Sequence, residues 1–133
     1  MIADDQTRQA IEQLIATTYA GMSTPGSDVA ELFGADDIAI AGSGMNELWT
    51  GPEMCMGAAT VVASMGLRWT AEQVTVWRQG DTAWAQILGS VHVVRDETDE
   101  LVPYWTTGVF GLQDDQWRWL YWGGAEPQEF AKV

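Results

Sequence analysis

A chain of 133 residues with 47% hydrophobic residues, eight Trp and a formal net charge of −13 has the size of one domain and enough apolar material for a packed core. With only six basic side chains, it is excluded as a partner of nucleic acid or of anionic membrane surfaces, both of which are bound through clustered Lys and Arg. One Cys (Cys55) and one His (His92) allow no intramolecular disulfide and no convincing ligand set, so neither a metal nor another cofactor is expected.

The single lysine, Lys132, stands beside the C-terminus, which leaves no buried amine for Schiff-base chemistry. The start MIADDQTRQA lacks the basic and apolar regions of a signal peptide, and no stretch is long and apolar enough to span a bilayer. A cytoplasmic location is the expectation.

In chain order, Asp4 or Asp5 caps a first helix whose apolar stripe is Ile11, Leu14, Ile15, Thr18, Tyr19 and Met22. Thr24-Pro25-Gly26-Ser27 breaks it, and Asp28 to Phe33 predicts a short second helix. Asp37 to Ala41 reads as a strand, Gly42-Ser43-Gly44 as a turn, and Glu47-Leu48-Trp49 as a second extended piece. Thr50 and Glu53 have the spacing of a capping box, with Pro52 in the first turn of a helix ending at Gly66. That helix is apolar around most of its circumference and is expected to be buried on more than one side.

Four long strands follow. They are Arg68 to Arg78, Thr82 to Arg95, Leu101 to Leu112 and Trp117 to Trp122. The turns between them are Gln79-Gly80-Asp81, an open acidic loop over Asp96 to Glu100, and Asp114-Asp115. Pro103 marks an edge or a bulge.

Helices first and antiparallel strands afterwards is the α+β pattern, here one domain over residues 1–133. A curved antiparallel or mixed sheet packed against about three N-terminal helices makes a cone with a cavity between its layers.

Several motifs occur in an order similar to that of the SnoaL-like families of the nuclear-transport-factor-2-like superfamily, relatives of ketosteroid isomerase. They are Phe33-Gly-Ala-Asp36-Asp37, Gly42-Ser-Gly44, Glu47-Leu-Trp49-Thr-Gly51, Gly80-Asp81-Thr-Ala83-Trp84-Ala85 and Trp117-Arg-Trp-Leu-Tyr-Trp122. The resemblance spans essentially the whole chain. It implies a cone-shaped α+β roll, a homodimer formed through the sheet, and a pocket lined by the first helix and the concave sheet. It implies no single activity, since the families include isomerases, dehydratases, cyclases and binding modules.

The isomerase chemistry needs a carboxylate base and donors for a developing enolate. Tyr19 matches the donor that the resemblance places on the first helix. The position of the base falls at Gly42, with Ala41 beside it, and a second acid falls near Trp105, where none occurs. A closing His-x-Ser common in these families is replaced by Gly123-Gly124-Ala125.

The candidate catalytic residues are therefore Tyr19 and His92. Tyr19 is either a donor to a ligand or a core tyrosine whose hydroxyl meets another protein group. His92, the one side chain that ordinarily titrates near neutral pH, shares a strand face with Trp84, Gln86 and Ser90. That face is either a pocket mouth or a dimer sheet. Trp49, Trp69, Trp105 and Trp122 are candidate ligand-binding walls. Glu47 reads as a turn or cap residue, Glu72 as a solvated strand acid, and Cys55 as helix core.

Alternation puts Trp117 and Trp119 on one face of the last strand and Trp122 on the other, which would send some Trp to a dimer interface. The expected function is binding of a small, largely apolar molecule, with isomerisation, dehydration or cyclisation through Tyr19 and His92. The alternative is a non-catalytic dimeric binding or assembly module. Tyr19 and His92 facing one ligand position would favour the enzyme, and His92 on the outer sheet face would oppose it.

Overall fold

The computed structural model describes residues 1–129; Lys132 lies outside them. Helix α1 runs over Asp5–Met22, and a 3-10 turn covers Val29–Phe33. Strands β1 (Ala39–Ala41) and β2 (Leu48–Thr50) precede helix α2 (Pro52–Ser64). Strands β3 (Arg68–Gln79), β4 (Thr82–Arg95), β5 (Thr98–Gln113) and β6 (Gln116–Ala125) complete the fold. The six strands form one mixed sheet in the order β2-β1-β6-β5-β4-β3, in which the β1–β6 pairing is parallel. This is an α+β architecture with two α-helices rather than about three, because the second helical segment is a single 3-10 turn.

The first helix starts where expected. The Asp4 carboxylate accepts from the Thr7 backbone N–H and hydroxyl at 2.8 and 2.9 Å. Those hydrogen bonds hold its pKa below the ordinary carboxylate value, helped by Arg78. Ile11, Ile15, Thr18, Tyr19 and Met22 are buried along one stripe. At the far end the Ser23 hydroxyl donates to the Tyr19 carbonyl and accepts from the Trp69 backbone N–H, which ties α1 to the start of β3.

Helix α2 corrects two expectations. Its N-cap is Gly51 at φ 84°, with no side-chain cap bond, because Thr50 is held in β2 opposite Ala39. Only Cys55, Ala59 and Ala63, spaced four apart, are buried, while Met54 and Val61 face outwards. One stripe of this apolar helix meets the fold, and among the described residues nothing covers Met54 and Val61 on the other side.

The acidic run is also tighter than a loop. Asp96 and Glu97, both at positive φ, form a two-residue turn, so β4 and β5 pair as far as Arg95 and Thr98. Asp114 and Asp115 turn the next hairpin in the same way.

A bulge at Leu120 overturns the simple alternation on β6. Phe110 pairs with Trp119 and Val109 with Tyr121, so Leu120 has no partner of its own. The extra residue resets the parity and turns Trp119 and Trp122 to the same, helix-covered face. Trp119 lies between Phe33 and Phe110, at 5.8 and 4.5 Å between ring centroids, and its indole N–H donates to the Thr18 hydroxyl. A second bulge at Glu72 lies between the pairs Ala71–Gly89 and Gln73–Leu88.

Candidate functional site

A cavity of about 190 Å³ opens between α2, the end of α1 and the covered face of the sheet. Met22 comes from α1, Ala58, Ala59 and Val62 from α2, Met65 from the C-cap of α2, and Ile40 from β1. Aromatic side chains make most of the remaining walls: Phe33 from the 3-10 turn, Trp49 from β2, Trp69 from β3, Tyr104 from β5 and Trp122 from β6. Trp69 stands nearly perpendicular to Tyr104 (5.0 Å, 83°) and to Trp122 (6.1 Å, 77°). Tyr104 and Trp122 lie at 31° to each other, 5.8 Å apart.

Gly124 makes this arrangement possible. A Cβ there would sit 2.6 Å from Tyr104 Cζ, so the absent side chain is what lets the tyrosine ring lie against the sheet. The sequence signal was the Gly123-Gly124 pair, which reads as lost polarity but is a seat for an aromatic ring.

The polar groups gather at the β1–β2 turn. Glu47 lines the cavity, and its carboxylate accepts from the Gly44 N–H. A Cβ built on Gly42 would lie 2.9 Å from Glu47 Cβ and 3.1 Å from Oε2. The space that a side chain at position 42 would enter is therefore taken by the Glu47 carboxyl, brought across the hairpin. Tyr104 and Ser43 stand beside it. Burial pushes the Tyr104 phenol above its ordinary pKa; its hydrogen bonding with Ser43 opposes this, while the charges of Glu47 and Glu126 add to it. Tyr104 thus keeps its proton at neutral pH.

The indole N–H groups of Trp69 and Trp122 are buried and have no hydrogen-bond partner among the described residues. Each such group carries a desolvation cost of about 1–3 kcal/mol, so the two are the least satisfied donors in the cavity wall.

The sequence-derived residues divide between the two faces. Trp49, Trp69 and Trp122 line the cavity. Trp105 does not: it pairs with Leu88 on the opposite face and is 43% exposed. Its neighbour Tyr104, one residue out of phase, takes the inward position, an assignment that needed the strand register.

Tyr19 lies one layer beyond the cavity wall, edge-on to Trp69 at 6.3 Å. Its hydroxyl donates to Thr106 Oγ1 at 2.8 Å, and burial pushes its pKa up to about 12. His92 faces the other way. It stands on β4 opposite Leu101, shares the outer face with Gln86 and Ser90, and approaches Asp99 at 3.8 Å, an ion pair only when the ring is protonated. The sheet separates Tyr19 from His92, so no single ligand position reaches both.

The remaining candidates are structural in placement. Burial raises the Cys55 thiol pKa, and the thiol points at the Ile38 and Trp49 carbonyls. Glu72, at its bulge, accepts from the Ser90 hydroxyl. No group of three His, Cys, Asp or Glu that could hold a metal occurs among the described residues. None of their helices is long and apolar enough to cross a membrane.

Comparison with known proteins agrees with the fold. The family model described as "SnoaL-like domain" matches residues 11–125. No curated protein matches the chain. Among solved structures, a nuclear-transport-factor-2-like protein of unknown function from Pseudomonas putida KT2440 superposes with a TM-score of 0.80 at 19% identity, covering 97% of this chain and 92% of that one. A candidate dehydratase of the same family from Streptomyces avermitilis gives 0.81 at 13% identity, covering 94% and 99%. A protein of that type with a cystatin-like fold from Novosphingobium aromaticivorans gives 0.75 at 20% identity, covering 93% and 84%. At these identities the likeness is one of fold.

Proposed function

We propose that this chain, which belongs to the SnoaL-like domain family, binds a small, largely apolar molecule in the cavity between α2 and the sheet. The observation that carries the reading is the aromatic box of Trp49, Trp69, Tyr104 and Trp122 around about 190 Å³. An apolar cavity of about 150 Å³ accommodates benzene, so this one suits a substituted ring or two fused rings. Larger molecules would extend past the turn at Ser43 and Glu47.

Binding is favoured over acid–base catalysis by Tyr19 and His92. A general acid and base must share one substrate, and these two point to opposite sides of the sheet. The Tyr19 hydroxyl is moreover engaged with Thr106.

A homodimer through the outer face is part of the proposal. Trp77, Trp84 and Val109 lie side by side there in cross-strand register, with Leu88 and the exposed Trp105 beyond them. Aromatic residues are enriched at the centres of such interfaces.

The test uses 2-indanone, a neutral two-ring probe, and the variant Ala58→Phe, which places a ring in the cavity from α2. Ligand that binds the folded state raises the melting temperature by mass action. A rise in the wild type that is lost in Ala58→Phe is expected. No rise, or an equal rise in both proteins, would refute cavity binding.

A further inference from the structure

We propose that the cavity is a site for an organic ammonium ion, a cationic nitrogen carried on an apolar body. This deepens the binding reading above and rests on it.

The walls present π surface. Trp69 stands at 83° to Tyr104 and 77° to Trp122, so the rings meet as perpendicular walls. The Trp69 and Trp122 indole nitrogens are buried, so they offer no accessible donor to anything that enters. Away from Ser43 and Glu47 the lining is largely carbon, with five aromatic side chains among it, and an aromatic ring carries the negative end of its quadrupole on its face. A cation within about 6 Å of such a face is attracted, and the attraction grows when the site is desolvated.

The charges at the mouth have one sign. Glu47 is the charged side chain of the lining, and no Arg, Lys or His among the described residues shares that lining. A second carboxylate stands behind it, where the Ser43 hydroxyl donates to Glu126 Oε2 at 3.3 Å. Glu47 is held in place, because the Gly44 N–H anchors its carboxylate and Gly42 leaves it room. The net charge of −13 favours the approach of cations over anions to the molecule as a whole. An aromatic carboxylate of equal size would meet two like charges and no cationic partner.

The test compares two ligands of nearly identical shape, phenyltrimethylammonium and its neutral isostere tert-butylbenzene, by tryptophan fluorescence titration of the full chain. The cation is expected to bind about tenfold more tightly than the isostere. Glu47→Gln is expected to remove most of that preference, with a near-ultraviolet circular dichroism spectrum matching the wild type's as the report of an intact cavity. Added salt is expected to weaken only the cation. Isostere binding as tight as the cation's, or an unchanged preference in Glu47→Gln, overturns the ammonium proposal and leaves apolar binding standing. Failure of both ligands to bind overturns both readings.

Discussion

Tyr19 Oη donates to Thr106 Oγ1 at 2.8 Å, a bond that joins α1 to β5 within the buried layer next to the cavity. The tyrosine acts there as a strut. Because its folded pKa of about 12 lies above the ordinary value of 10.0, the folded state holds the proton more tightly than the unfolded chain does. The associated stability is present below pH 10 and is lost as the pH rises through 12.

Tyr19→Phe should therefore cost about 1–2 kcal/mol at pH 8, since it leaves Thr106 without its donor. It should also flatten the alkaline loss of stability between pH 10 and 12. Urea unfolding at pH 8 and pH 11 measures both effects. A variant whose alkaline loss is as steep as the wild type's would show that Tyr19 is not the group responsible.

Position 42 cannot be refilled in isolation. A Cβ there meets Glu47 Cβ at 2.9 Å, so Gly42→Asp should destabilise by roughly 1–3 kcal/mol. In the background Glu47→Gly the cost should fall by at least half, because the whole side chain in the way, Cβ included, has gone. The double-mutant cycle by chemical denaturation measures this coupling. Additive effects would mean that the two side chains do not compete for the same space.

Gly89 is required by a neighbour on β3. A Cβ at this position would fall on the Thr70 carbonyl oxygen, a backbone atom beside the Glu72 bulge that has little freedom to retreat. Gly89→Ala should cost about 2 kcal/mol or more, read as a lower urea midpoint with an unchanged slope. Stability equal to the wild type's would contradict the close approach.

The outer face makes a separate prediction. Trp84→Arg and Trp105→Arg place charge among Trp77, Leu88 and Val109, so each should shift a dimer towards monomer in sedimentation velocity. Neither should change affinity for 2-indanone, because neither residue lines the cavity. Unchanged sedimentation in both variants would place the dimer contact elsewhere.

Much of the fold was legible from period and punctuation. The stripe from Ile11 to Met22, the strands either side of Gly80 and the Asp114-Asp115 turn all lie where the pattern puts them. The site was less legible, for a physical reason. Its walls depend on strand parity, and one unpaired residue at Leu120 turns Trp122 to the same side as Trp119. The same ambiguity exchanged Trp105 for Tyr104. Glu47 was visible as a turn acid, but only the packing against Gly42 and Gly44 places its carboxyl at the cavity mouth.

The eight indole N–H groups give each tryptophan its own resonance in a proton–nitrogen correlation spectrum, so a titration with 2-indanone tests the central claim residue by residue. Cavity binding predicts that the signals of Trp49, Trp69 and Trp122 move together, while those of Trp77, Trp84 and Trp105 stay in place. Movement confined to the outer-face tryptophans, with Trp69 and Trp122 unmoved, would contradict it.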